Sequence, residues 1–290
     1  MATNLTYWLS TPLGAGFIVL LGLILGSFVN VLITRLPLMV AHDERQLSLR
    51  QLAIEPPVVQ TISLFWPPSF CPSCRTAIRW RHAIPIFSWL WLRGRCAHCE
   101  QPISVRYPIV EGLCALMLFA LYTSYGPTFE FCFKVFFCFM LVAIAYMDWE
   151  TGWLPDVMTI PLIGGGLLYS VLAQANLTDL GPSDAIIGAL AGYSLFWLLN
   201  YVYRTLTGRN GMGFGDFKLI AALGAWLGWM LLPLALLFAA LIALLFGIVM
   251  AMTGRYQSEI GIRFAPFLAL AGIGLLLSKD LHLLPAYIAL

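Results

Sequence analysis

Two aspartates, each placed where an apolar run meets a polar segment, are the residues of this 290-residue chain best suited to chemistry. Asp216 follows alternating glycines in Gly211-Met-Gly-Phe-Gly-Asp216-Phe-Lys218 and opens one apolar run. Asp148 closes an earlier one in Ala145-Tyr-Met-Asp148-Trp-Glu-Thr-Gly-Trp-Leu-Pro-Asp156. Carboxylates beside apolar segments are costly to keep and mark functional sites by default. Two of them a few ångströms apart cannot easily both ionise, so one keeps a proton. The ionised partner can then take a proton from water while the neutral one polarises a carbonyl, which hydrolyses an amide without a covalent intermediate. Asp148 and Asp216 are therefore the candidate catalytic pair, supported by Gly213, Gly215 and Lys218. The glycines allow unusual backbone conformations and close approach of an extended peptide. Against this stands capping: Asp is a favoured N-cap and Asp216 precedes a helix. Asp148 resists that reading, because a helix C-terminus disfavours negative charge. Asp156 reads as the N-cap of the next span, and Glu111 and Glu150 as interfacial acids outside the chemistry.

A second cluster is Cys71-Pro-Ser-Cys74 and Cys96-Ala-His-Cys99, two C-x-x-C knuckles separated by 21 residues. That spacing suits tetrahedral zinc, which closes a small domain with little core of its own. Paired disulfides or redox chemistry are the alternatives, disfavoured if the segment is cytoplasmic. Four thiolates leave no open coordination position, so a metal held by Cys71, Cys74, Cys96 and Cys99 is structural. His82 and His98 read as bystanders, although His98 could replace a cysteine. Cys114, Cys132 and Cys138 fall in apolar runs as small hydrophobes.

The elements that must position these groups follow from composition. With 60% hydrophobic residues, 10% charged and a mean hydropathy of +0.86, the chain needs lipid as its solvent. The all-α polytopic reading has about eight transmembrane helices, near 13–34, 108–125, 129–147, 157–174, 184–203, 217–231, 233–252 and 264–283. The sixth and seventh are divided only around Gly228 and Pro233, so seven is the other count. No basic leader with a small-residue cleavage site opens the chain, so the first run is expected to persist as a helix. The composition divides the chain into a first helix at 1–34, a zinc-binding domain at 35–107 and a membrane bundle carrying the aspartates at 108–290. Residues 36–70 read as a linker or a short amphipathic element on the membrane.

Nine arginines between Arg35 and Arg106 place that segment in the cytoplasm. Eight spans then put 14 of the 16 basic residues on the cytoplasmic side, leaving Lys134 and Lys279 across the bilayer. Asp148 and Asp216 fall on the same cytoplasmic face. A net charge of +2 gives no case for nucleic acid. Trp80, Trp89 and Trp91, interleaved with Arg79, Arg81, Arg93 and Arg95, instead suit lipid headgroups. Gly164-Gly-Gly166 and the run from Gly188 to Gly192 permit close helix packing, within one bundle or between copies. No internal repeat stands out.

Taken together the motifs resemble the type IV prepilin peptidase family. The resemblance runs from Gly26-Ser-Phe-Val-Asn30-Val-Leu-Ile-Thr-Arg35-Leu-Pro37 through both knuckles and Tyr107-Pro-Ile-Val-Glu111. It continues through Asp148, Leu154-Pro-Asp156, Gly213-Phe-Gly215-Asp216-Phe-Lys218 and Ala265-Pro-Phe-Leu-Ala-Leu-Ala271. It implies a bacterial inner-membrane enzyme that removes the short basic leader of prepilins or type II secretion pseudopilins on the cytoplasmic side. Cleavage would follow a glycine, just before the hydrophobic stem, with Asp148 and Asp216 as the catalytic aspartates. The family also methylates the new amine with S-adenosylmethionine, and Gly94 matches a glycine linked to that step. The chain departs from the family at Ser69-Phe70 and Ala83-Ile84-Pro85, around the knuckles. A proton- or cation-coupled transporter using Asp148 and Asp216 is the rival from another class, and a zinc-docking scaffold a further one.

Overall fold

The computed structural model describes residues 11–52, 62–173, 180–209, 211–254 and 263–280. Among these the chain is almost entirely helical: α1 Pro12–Gln51, α2 Phe87–Trp91, α3 Arg106–Tyr125, α4 Phe129–Thr151, α5 Asp156–Ala173, α6 Pro182–Thr207, α7 Phe214–Met252 and α8 Ala265–Asp280. A single 3-10 turn, Trp80–Ala83, precedes α2. Pro56, Pro57 and Arg255 lie outside the described residues, as does the side chain of Lys279. By length and composition α1, α3, α4, α6 and α7 can each cross a membrane, while α5 and α8 are shorter apolar helices. α7 is broken at Gly228 (φ 77, ψ 170), within the Gly228–Pro233 region expected to divide two spans but three residues inside the expected 217–231 span. Eight crossings thus require both short helices to cross and α7 to count as two.

The chain forms two compact units, Met1–Pro127 and Thr128–Leu290. In the first, α1 packs on α3. Gly22 and Gly26, one turn apart, let the backbones meet: a Cβ on Gly22 would lie 2.5 Å from Ala115 Cα, and one on Gly26 2.7 Å from Glu111 Cα. This is the small-residue packing that substitutes for a hydrophobic driving force in lipid. Val29, Ile33, Val110, Cys114 and Leu118 fill the seam. α1 does not stop near residue 34, however. It runs on through Pro37 to Gln51, so the first part of the 36–70 segment, expected as a linker or a short amphipathic element, is a continuation of the helix. Hydrophobicity marks where a span ends, whereas the backbone ladder continues as long as residues such as Leu, Glu, Arg and Gln favour it.

Motif residues of this unit act as fasteners. Asn30 Nδ2 donates to Tyr107 O at 3.1 Å, Arg35 Nη1 donates to Ser63 O and Leu64 O at 3.0 and 3.2 Å, and Glu111 Oε2 accepts the Ile86 amide at 2.8 Å. The first ties α1 to the first turn of α3, and the other two each join a helix to a distant, non-helical stretch of chain. The composition boundary at 107/108 marks where polar chain gives way to apolar run, whereas packing keeps α3 with α1.

In the second unit the N-terminal half of α7 is the central element, with Phe217, Leu219, Ile220 and Leu223 fully buried. α5, α6 and α8 all pack on it. Gly188 and Gly192 of α6 face Gly224 and Ile220, and a Cβ on Gly188 would meet Gly224 O at 2.3 Å. Gly165 and Gly166 of α5 lie against Phe136 and Trp226. The small-residue runs therefore serve packing within one bundle. Trp226 Nε1 donates to Leu162 O at 2.7 Å, tying α7 to α5.

Candidate active site and metal centre

The α4 C-terminus and the α7 N-terminus bring the two aspartates to one cavity. Asp148 and Asp216 line it together with Gly152, Leu154, Asp156, Gly213, Gly215 and Lys218, and it holds about 320 Å³. Asp148 is 6% exposed, and its Oδ2 is buried without a hydrogen bond from the described residues. Its backbone is held: Gly152, the left-handed C-cap of α4 at φ 68, donates its amide to Asp148 O at 2.8 Å.

Asp216 is not the N-cap of its helix. Gly213 takes that position with φ −73 and ψ 145. Asp216 sits three residues on, with its amide on Gly213 O at 3.2 Å and its carboxylate turned back toward the Gly213 amide. An acid at this position reaches back in the manner of a capping box, so holding the helix start and facing the cavity are compatible.

The glycines act differently from the flexible entry that spacing suggests. Gly213 has an ordinary φ, and Gly215 is inside the helix. What Gly215 provides is proximity: a Cβ there would lie 2.6 Å from Leu154 Cβ. Lys218 donates from Nζ to Asp156 Oδ1 at 2.5 Å, joining α7 to the first turn of α5. Asp156 is thus the exposed partner of a cation and not the N-cap expected for its span.

Two residues that hold the site escaped the sequence reading. Asn200, buried in α6, accepts at Oδ1 from the amides of Gly211 and Met212 at 2.9 and 3.3 Å, anchoring the loop that leads into α7. An amide inside the apolar run Leu195-Phe-Trp-Leu-Leu-Asn200 was a readable signal. Arg263 donates from Nη1 to Asp148 O at 2.7 Å and to Trp149 O. Nothing in its sequence neighbourhood distinguishes it from an ordinary loop cation.

The four cysteine sulfurs lie within 4.8 Å of one another, and Cys71 Sγ and Cys99 Sγ are 3.8 Å apart. Thiolates about 2.3 Å from a tetrahedral centre would be separated by about 3.8 Å. The cluster can hold a metal ion. Both knuckles share one local fold, which amounts to a short structural repeat that the sequence reading passed over. Cys71 N donates to Thr76 O and Arg75 N to Cys71 O; Cys96 N donates to Gln101 O and Glu100 N to Cys96 O. Arg75 and Glu100 both take positive φ, 55 and 58. Hydrogen bonds from Thr76 bring the Cys74 thiol down to about 6. The Gln101 amide lowers Cys99, but desolvation and the other three sulfurs outweigh it and push that thiol up to about 12. Four sulfurs this close cannot all ionise without a cation among them.

Gly94 belongs to this scaffold. It has φ 68, its amide meets Trp89 O at 2.8 Å, and a Cβ would lie 2.8 Å from the Trp89 ring. Around the knuckles Phe65, Trp66, Trp80 and Trp91 are exposed, and so are Arg79, Arg81, Arg93 and Arg95.

Comparison with known proteins matches residues 20–125 to the bacterial peptidase A24 N-terminal domain and residues 135–248 to the type IV leader peptidase family. A prepilin leader peptidase/N-methyltransferase of Aeromonas hydrophila is 43% identical over 260 residues, covering 87% of each chain. Proteins of the same description from Dickeya chrysanthemi and Neisseria gonorrhoeae are 42% and 39% identical, the first covering 90% of this chain and 92% of its own, the second 90% of each. No solved structure gives a significant match.

Proposed function

Because this chain belongs to the type IV leader peptidase family, we propose that it is a membrane aspartyl endopeptidase that removes the leader of prepilins or pseudopilins and then methylates the new N-terminus. The observation that carries the reading is the convergence of Asp148 and Asp216 on one cavity from opposite helix ends. In the proposed mechanism a water in that cavity is activated by whichever carboxylate is ionised. The other, carrying the proton, polarises the scissile carbonyl and then protonates the leaving amine. The Lys218–Asp156 pair and the close Gly215–Leu154 contact hold the start of α7 against the segment that follows α4, and so hold the wall of the cavity.

This chain's basic residues favour a cytoplasmic site, where a short basic leader would be presented, in a multi-pass protein of the bacterial inner membrane. The exposed aromatic and arginine side chains around the knuckles suit lipid headgroups rather than nucleic acid. The transporter reading fits less well, since both acids sit at helix ends that open on one cavity.

Zinc is the ion we assign to Cys71, Cys74, Cys96 and Cys99, on donor softness and on the 3.8 Å sulfur spacing. With four thiolates around it, it would hold the knuckles and take no part in hydrolysis. S-adenosylmethionine would supply the methyl group of the second activity. Gly94 is the residue carried over for that step, and its backbone and its contact with Trp89 supply a structural role as well.

The test is cleavage of a prepilin-like substrate, with a basic leader ending in glycine, by protein in lipid, beside Asp148→Asn and Asp216→Asn. Loss of the leader with the parent chain alone is the expected result. Cleavage by Asp216→Asn would reduce Asp216 to helix capping, and no cleavage by any of the three would sink the peptidase reading.

A further inference from the structure

We infer that Arg263 is a positioning residue for Asp148, clamping the end of α4 so that the carboxylate is presented to the cavity. The inference rests on the peptidase reading above. α4 has no basic residue in its last turn. Asp148 O already takes the Gly152 cap amide, but the carbonyls after it lack intrahelical partners, and the helix end carries partial negative charge, the wrong environment for an aspartate. Arg263 corrects both from outside the helix. It enters just before α8 and its guanidinium reaches two successive carbonyls, Asp148 O at 2.7 Å and Trp149 O.

Gly152 turns the chain away in a left-handed cap at φ 68, a conformation that favours glycine, and a Cβ at that position would make only ordinary van der Waals contact, at 3.6 Å, with three guanidinium atoms. Helix cap and arginine are therefore direct neighbours at the end of α4. The Asp148 carboxylate takes the Ala265 amide, two residues beyond Arg263, while its Oδ2 has no hydrogen bond from the described residues, so its placement depends on the segment before α8, on this backbone and on packing. The charged groups facing the carboxylate are Arg263 from the segment before α8 and Asp216 from α7, with the Asp156–Lys218 pair on the cavity wall. Lys218 is engaged with Asp156, so among the described residues Arg263 is the cation placed to serve Asp148.

A structural fastener would lower stability or yield of active protein, whereas a positioning residue changes turnover in protein that stays folded. Arg263→Ala and Arg263→Lys are compared with the parent chain in lipid nanodiscs. The assays follow leader cleavage, methylation of a pre-cleaved substrate, and hydrogen exchange across residues 149–153. Arg263→Ala is expected to lower kcat at least ten-fold with KM within two-fold, and to leave methylation unchanged. Exchange at 149–153 should accelerate at least ten-fold. Arg263→Lys, which keeps a cation but loses the planar guanidinium, should recover at least a third of the lost kcat. Turnover of Arg263→Ala within two-fold of the parent overturns the inference, as does equal impairment of both variants together with methylation. If the parent chain itself does not cleave, the peptidase reading fails, and unchanged exchange at 149–153 would still reject the clamp separately.

Discussion

Asn200 Oδ1 accepts the Gly211 amide at 2.9 Å from a buried position in α6, so the loop carrying the glycines is anchored eleven residues before it by a single carboxamide. The same oxygen takes the Met212 amide at 3.3 Å. Both bonds lie immediately upstream of the Gly213 cap and set the direction in which α7 starts.

Replacing Asn200 by Ala leaves two loop amides without their acceptor, each costing about 1–3 kcal/mol if it stays buried. The expected outcome is a fall in leader cleavage with Asp216 chemically intact. Asn200→Asp, which keeps the accepting oxygen, should retain more activity than Asn200→Ala. Steady-state cleavage of the two variants at matched folded concentration checks this, and equal loss in both would remove the anchoring role.

Gly215→Ala tests proximity against flexibility. An alanine improves intrinsic helix propensity by about 1 kcal/mol. Its methyl, however, meets Leu154 Cβ at 2.6 Å, and such overpacking costs roughly 1–3 kcal/mol. Cleavage should fall in Gly215→Ala and recover partly when Leu154→Gly removes the opposing Cβ. Recovery in the double variant distinguishes a steric role from a need for mobile backbone.

Metal content should depend on pH with a definite sign. Cys74 in the metal-free cluster is held at about 6, so it is thiolate above that pH and protonated below it. Metal binding displaces thiol protons, and Cys99, at about 12, must give up its proton at neutral pH. Zinc is therefore expected to be retained at neutral pH and released on acidification, below the pH at which the metal-free Cys74 thiol takes up its proton, with release accelerated by a chelator. Metal analysis of protein equilibrated across that range reads the transition directly. Cys71→Ser and Cys96→Ser should lower both zinc content and accumulation of the protein, with cleavage falling as a consequence.

Gly94→Ala separates structure from methyl transfer. Positive φ costs a non-glycine residue roughly 1–2 kcal/mol, and the new methyl also presses on the Trp89 ring. If Gly94 matters through the knuckle scaffold, the variant loses zinc and methylation together. Loss of methylation with full zinc retention would assign Gly94 to the transfer step itself. Parallel metal analysis and methyl incorporation decide between them.

The sequence by itself determined whatever depends on residue type, spacing along one chain, and partition between lipid and water. Asp148 and Asp216 were legible because an aspartate beside an apolar run is energetically conspicuous. Cys71, Cys74, Cys96 and Cys99 were legible because ligand spacing within a knuckle is a local property. The apolar runs were legible because a helix crossing lipid must be about 20 residues long.

What the tertiary structure decided are relations between residues distant in sequence. Arg263 and Asp148 are separated by 115 positions and Lys218 and Asp156 by 62, and no local pattern encodes either contact. Gly215 has a spacing that suggests flexibility, and only the packing of Leu154 against it makes it a residue of close approach. α1 continues past its apolar run to Gln51 because backbone hydrogen bonding is indifferent to where lipid ends. Pairing across a bundle is set by which helix faces meet. Lipid, unlike water, does not force apolar faces inward, so hydrophobicity marks the helices here but leaves their partners to shape, close backbone approach and the few polar groups that must be satisfied.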